Sequence, residues 1–292
     1  MKRGRLNSSR QQGGMALIVV LWLVVLLSIM AAGHSRNAHT DTKLASRQVD
    51  FAKARALAEA GINHIILDML ADNPAAQHPV DGTVFSIDIY GDAVTLAIRD
   101  ATGLVDLNAA GPDLLGATLQ ACGVVEPLQR KLVDAILDWR DKDDLAHLHG
   151  IEDDDYLAAG VPWTSRDDAF ESVDELKYLP GVSQALYDRL APLVTVHSRN
   201  SNLNLEYAPP ALITALTGDE VQPATSDGAE QKTRGARNGT YHIYSSAAGG
   251  SGTIASIEAV VNISRSSKYP FTVLDWREPP RAEFPPRAGA QG

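Results

Sequence analysis

Nineteen consecutive residues, Met15 to Gly33, carry no charge, and they follow a basic flank and the pair Gly13-Gly14. As a helix this run would rise about 28 Å, close to the hydrocarbon thickness of a bilayer. Its centre, Leu17 to Leu27, is aliphatic apart from Trp22. The cations Lys2, Arg3, Arg5 and Arg10 before it predict a cytoplasmic N-terminus, with the rest of the chain crossing. The position of the glycine pair is the sharper clue. A secretory signal carries its small-residue cleavage site behind the apolar core and loses that core. A cut between Gly14 and Met15 would instead remove only a basic leader, residues 1–14, and leave the apolar segment as the new N-terminus. An uncleaved single-pass anchor, a conventional signal cut near Ala31-Ala32-Gly33 and a buried core helix are the competing readings.

Charge narrows the partners. The chain has 36 acidic residues against 26 Lys and Arg. Four of those cations and none of the acids lie in residues 1–14, so 22 cations face 36 acids from Met15 onward. Such a surface repels phosphate backbones, which argues against a nucleic-acid partner and suits cation binding. The single cysteine, Cys122, excludes an internal disulfide framework and reads as a small core residue among Leu119, Ala121 and Val124.

Past the apolar run the helical pattern continues. No proline occurs from His34 to Leu70, and Ala45, Val49, Ala52, Ala56, Ala60 and Ile65 to Leu67 recur at helical spacing. Gly61 reads as a mild interruption, and Asn73-Pro74 as the stop. Two alternating runs, Thr83–Tyr90 and Ala93–Asp100, flank a Gly91-Asp92 turn and predict a hairpin, with a third strand within 103–107. Helices are expected at Pro112–Cys122 and Leu128–Trp139, with helical turns around Ser172–Tyr178 and Ser183–Leu190. Strands return at Thr240–Ser245, Ile254–Ser264 and Phe271–Trp276. Helices enclosed by two sets of strands predict an insertion into one sheet domain. Asp106–Leu115 aligns without gaps on Asn204–Ile213, each entering a helix at a proline, Pro112 or Pro210.

The densest polar cluster runs from Asp138 to Asp155, with eight carboxylates and two cations. Closely spaced acids on a loop supply the oxygens that calcium requires. Asp141, Asp143 and Glu152 take positions 1, 3 and 12 of a twelve-residue loop, but Leu145 and Ala146 exclude an EF-hand. A solvated acidic loop is the alternative. The stretch Val173–Val182, with Leu179-Pro180-Gly181, resembles a helix-hairpin-helix element. Its acids, Asp174, Glu175 and the nearby Glu171 and Asp188, favour a packing motif over a phosphate grip. No catalytic constellation stands out: the eight histidines lack HExxH spacing, and no GxSxG, Walker or dinucleotide fingerprint occurs. The chain is therefore not read as an enzyme.

Taken together, these blocks resemble the type II secretion minor pseudopilin K family. The resemblance rests on the Gly14-Met15 junction, DWRDKDD from Asp138, SVDELKYLPGVSQALYDRLAPLVTV from Ser172, NLNLEYAPP from Asn202 and VLDW ending at Trp276. Ordinary pilins carry a glutamate at the fifth mature position; here, counting from Met15, it is Val19, and the K proteins characteristically lack that glutamate. A carboxylate there would be costly in lipid without a partner. The resemblance implies an α+β fold: a pilin-like long N-terminal helix plus antiparallel sheet, interrupted by a large α-helical insertion domain. The implied parts are a cleaved leader (1–14), a transmembrane helix (15–33), a first pilin-like part (34–108) and an inserted helical domain (109–200). A second pilin-like part (201–278) with a flexible loop (217–239) and a disordered tail (279–292) complete it. It implies processing at Gly14 and N-methylation at Met15 by the prepilin peptidase, and a single-pass inner-membrane protein with a periplasmic C-terminal domain. It also implies partnership with minor pseudopilins I and J in a tip complex, and with pseudopilins H and G. Structural calcium on Asp141, Asp143, Glu152 and Asp155 is the implied cofactor. A membrane-tethered helix-hairpin-helix DNA receptor and a membrane-anchored hydrolase are the alternatives.

Overall fold

A computed structural model describes residues 13–71, 78–158, 160–218, 238–250 and 252–278. The leader residues 1–12, most of the loop 217–239 and the tail 279–292 lie outside the described residues, as do the expectations made for them. The chain forms two compact units, residues 1–52 and 53–292.

In the first unit the chain is the beginning of helix α1, Gly13–Leu70. Its described apolar side chains are exposed, from Leu17 through Trp22 to Met30. Among the described residues no helix is long and apolar enough to cross a membrane. The described side chains of the uncharged run are those of residues 16–30.

In the second unit the rest of α1 lies on a five-stranded antiparallel sheet. Ala54, Ala58, Ile62, Ile65, Ile66 and Met69 are buried at three- and four-residue spacing, the single stripe by which a helix packs on a sheet. The strands are β1 (Asp81–Ile89), β2 (Asp92–Asp100), β5 (Gly239–Ala248), β6 (Ile254–Ile263) and β7 (Phe271–Arg277), in spatial order β1-β2-β5-β6-β7. Val94, Leu96 and Ile98 of β2, Ile243 of β5 and Ile257, Ala259 and Val261 of β6 meet α1 in one core. The β1–β2 turn is Tyr90-Gly91, one residue before the sequence expectation. Both have positive φ, 55° and 90°, as a tight hairpin loop demands. Gly61 is no mild interruption. A Cβ there would stand 2.7 Å from Ser245 Oγ and 2.8 Å from Val94 Cγ1, so the helix reaches the sheet only because this residue has no side chain.

Between β2 and β5, which are themselves ladder partners, lies a helical lobe. It comprises β3 (Val105–Asp106), α2 (Pro112–Ala121), α3 (Leu128–Arg140), α4 (Asp153–Ala158), a 3-10 turn at Val173–Tyr178, α5 (Gln184–Leu190), β4 (Val194–Thr195) and α6 (Pro210–Thr217). Its core takes Val105 and Leu107 before residue 109 and Ala208 and Leu212 after residue 200. Cys122 is buried in it. The Pro180-Gly181 turn joins two elements whose Leu176, Leu179, Leu186 and Leu190 fill the same core, which is packing. The two aligned segments share a device: Asp106 Oδ1 accepts from the Asn108 amide at 2.8 Å, and Asn204 Oδ1 accepts from the Glu206 amide at 3.0 Å. Each side-chain turn leads into a helix that opens at a proline.

Candidate metal centre

Helix α3 is amphipathic, with Leu132, Val133, Ala135, Ile136, Asp138 and Trp139 buried. Asp138 is thereby carried, fully buried, beneath the acidic loop. Its carboxylate accepts the His147 amide at 3.1 Å and the Ile151 amide at 2.7 Å, and also meets His147 Nδ1. One turn earlier, Asp134 accepts the His149 amide at 3.0 Å. A buried carboxylate needs such donors. Arg140, at the end of the helix, donates to the carbonyls of Leu107 and Ala110, the latter at 2.8 Å.

Carboxyl groups converge around this clamp. Asp138, Asp141 and His147 place ligand atoms within 4.8 Å of one another. Ser165 donates its amide to Asp153 at 3.1 Å and its hydroxyl to the Asp138 carbonyl at 3.5 Å, which draws in the segment bearing Asp167. The buried oxygens Asp141 Oδ1, Glu152 Oε1 and Asp167 Oδ1 have no hydrogen-bond partner among the described residues. Burial, reinforced by the charges of Asp138, Asp141, Asp167 and Asp144, pushes the Glu152 carboxyl up to about 7. Asp141 is raised by burial and by Asp143. The hydrogen bond to Asp138 raises the His147 imidazole. Crowded acids with orphaned oxygens fit a hard cation that takes six to eight oxygen ligands.

Of the four residues named from the sequence, Asp141 and Glu152 belong to this group. Asp143 and Asp155 are exposed and serve the backbone: Asp143 caps the Leu145 amide at 3.0 Å, and Asp155 caps the Glu152 amide at 3.2 Å. The sequence reading counted Asp138 among the eight acids without naming it as a ligand, and it left out Asp167, which lies beyond the acidic run and has φ 54°.

A second buried polar group joins the lobe to the sheet. Glu258 of β6 accepts from Arg277 Nε at 2.5 Å, meets His242 Nδ1 at 2.9 Å and bonds the Tyr244 hydroxyl. The other ring nitrogen of His242 contacts Thr195 Oγ1 at 3.1 Å. Burial works to raise the Glu258 carboxyl, but the bonds from His242, Arg277 and Tyr244 outweigh it and hold the group below the ordinary glutamate value.

A long N-terminal helix on an antiparallel sheet, with a helical lobe let in between two neighbouring strands, defines a pilin-like α+β protein. A chain of the crystal structure of the GspK-GspI-GspJ complex from the enterotoxigenic Escherichia coli type 2 secretion system shares this fold. The TM-score is 0.53 at 16% identity, covering 84% of this chain and 99% of that one. Residues 96–199 match the family model for type II secretion system (T2SS), protein K, and residues 13–63 match PilX N-terminal. Type II secretion system protein K of Aeromonas hydrophila is 29% identical over 73% of this chain and 73% of its own length. The protein of that name from Pseudomonas aeruginosa is 27% identical over 75% of this chain and 71% of its own. A putative type II secretion system protein K of Escherichia coli K12 is 27% identical over 64% of this chain and 63% of its own length, so the match spans less than two thirds of that relative. Over residues 96–199 the chain thus carries the type II secretion system protein K domain, and the relatives it resembles bear that name.

Proposed function

We propose that this protein is the minor pseudopilin at the tip of a type II secretion pseudopilus. There it primes assembly and supports protein export from the periplasm across the outer membrane. The observation that carries the reading is the helical lobe set between β2 and β5 of a pilin-like sheet. A lobe of that bulk suits the end of a filament better than its shaft. Val19 in place of the pilin glutamate agrees, since a terminal subunit has no subunit above it to neutralise. Processing at Gly14, N-methylation at Met15 by the prepilin peptidase and a single-pass inner-membrane anchor over 15–33 follow from the same reading. The related complex, which joins GspK to GspI and GspJ, supports I- and J-type pseudopilins as partners, with H and the major pseudopilin G further along the filament.

The protein's role is structural, and calcium would serve it as a rivet. Asp138, Asp141, Glu152 and Asp167 would hold the ion, with His147 alongside. The cation would relieve the repulsion among these carboxylates and fix the loop from Asp141 to Glu152. The DNA-receptor reading has less support, because the hairpin is acidic and its apolar residues are spent on packing.

The test is co-purification. The full chain, expressed with I- and J-type pseudopilins and extracted in detergent, should bring both down in one complex. Capture of neither would overturn the assignment.

A further inference from the structure

Two histidines meet one carboxylate oxygen near the end of α1. His64 Nε2 stands 3.4 Å from Asp68 Oδ2, and His78 Nε2 stands 2.9 Å from the same oxygen. His64 and Asp68 are four residues apart, which puts both on one face of the helix. His78 comes from outside the helix, on the segment that enters β1 at Asp81. Its ring stacks on Phe85 of β1, with centroids 4.8 Å apart and planes 6° apart. That stack fixes the direction in which its Nε2 points. The side chains of Asp68 and His78 are 21% and 19% exposed, and that of His64 is 52% exposed. Two donors are therefore held in place, and the third is a surface side chain that can turn onto them.

We propose that His64, Asp68 and His78 bind a divalent transition-metal ion, of which zinc is the type, at a site sharing no residue with the acidic loop of the lobe. The donor set chooses the ion. Imidazole nitrogen suits zinc, copper and nickel, whereas calcium takes six to eight oxygens and one carboxylate falls far short. Three side-chain ligands, with a fourth position left to water, make up an open zinc site. The spacing fits as well. Bonds of about 2.0–2.1 Å set tetrahedral ligand atoms about 3.3 Å apart, and the contacts at 2.9 and 3.4 Å bracket that edge. Closing the third edge requires His64 to turn toward His78, a rotamer change at a half-exposed position. The same atoms also satisfy one another as hydrogen bonds, each ring donating from an Nε2–H tautomer to the aspartate. A metal takes over both nitrogens by shifting each neutral ring to its Nδ1–H form, so no proton need leave. The bound ion would pin the last turns of α1 to the start of β1, beside Met69 and Val80, which are buried in the sheet core.

The experiment uses the full chain in detergent, without a histidine tag, stripped with EDTA and then held in excess calcium to engage the acidic loop. Calorimetric titration with zinc chloride should show a single zinc bound per chain, and the melting temperature should rise with it. His64→Gln and His78→Gln should each weaken zinc binding at least about tenfold, with the metal-free melting temperature unchanged for His64→Gln. His147→Gln, in the acidic loop, should leave zinc binding as it was. The half-exposed His64 keeps the test decisive if His78→Gln melts early. Zinc without effect on the unaltered chain would overturn the proposal. So would full zinc affinity in His64→Gln and His78→Gln, or a loss confined to His147→Gln, which would assign the ion to the acidic loop.

Discussion

Gly150 presses against Asp138 so closely that a Cβ at residue 150 would overlap the Asp138 carboxylate. The same carboxylate accepts the amide of Ile151, the next residue. Gly150→Ala must therefore push Asp138 off its donors. Leaving a buried acceptor unsatisfied costs about 1–3 kcal/mol, and the urea midpoint should fall accordingly. An unchanged midpoint would show that the loop is not held by Asp138.

Calcium should raise the melting temperature of the full chain, and a chelator should reverse the rise. A ligand at a hundred times its Kd adds about 2.7 kcal/mol. Glu152→Gln and Asp167→Asn should abolish most of the shift, whereas Asp143→Asn and Asp155→Asn should keep it. Scanning fluorimetry with calcium and with EDTA distinguishes these cases, and a wild-type chain indifferent to calcium would remove the metal claim.

Gly61→Val is expected to pry α1 from the sheet, because Ser245 and Val94 already stand within 3 Å of the position its Cβ would take. Overpacking of this kind costs about 1–3 kcal/mol. Equilibrium unfolding measures it; a neutral result would mean the helix can shift outward freely.

Acid should weaken the joint between lobe and sheet. Glu258 is held below its ordinary 4.5 in the fold, so its contribution is full above that value and drains away as pH falls through the lower, folded value. His197 is also held below its ordinary 6.5, by burial and by His242. The unfolded chain therefore takes up a proton below 6.5 that the fold resists, and stability declines in the same direction. Removing one member of a buried charged pair costs about 3–5 kcal/mol. Glu258→Gln should thus lower stability at neutral pH and flatten the loss below pH 4.5, which denaturant titrations across pH would show.

Replacement of Gly14 by Phe should block removal of the leader. Terminal sequencing would then find the basic leader retained, whereas the unaltered protein should begin at N-methyl-Met15.

The helical and strand periods were legible where they served one face. The long helix followed from its unbroken spacing, and the edges of Thr83–Tyr90 and Ala93–Asp100 fell within two residues of the strands. Helix α4 was missed because its acids read as a solvated run, although acids in a first turn suit the helix dipole. The two-residue ladder of Val105 with Val194 and Asp106 with Thr195 depends on residues brought together only by the lobe. Glu258 sits at an alternating position that reads as outward; Thr195 and Arg277 enclose it from elsewhere in the chain. Likewise, no spacing rule connects Asp167 to Asp138.

Asp100 and Tyr241 are neighbours in the sheet, yet the whole lobe separates them along the chain. Closing a loop costs free energy only as the logarithm of its length. The lobe could therefore grow or shrink between those two residues at little thermodynamic expense, while the seam they close stays the same. Kinetics is less forgiving, since distant contacts slow folding. During synthesis the first hairpin must wait, its β2 edge open, until β5 emerges.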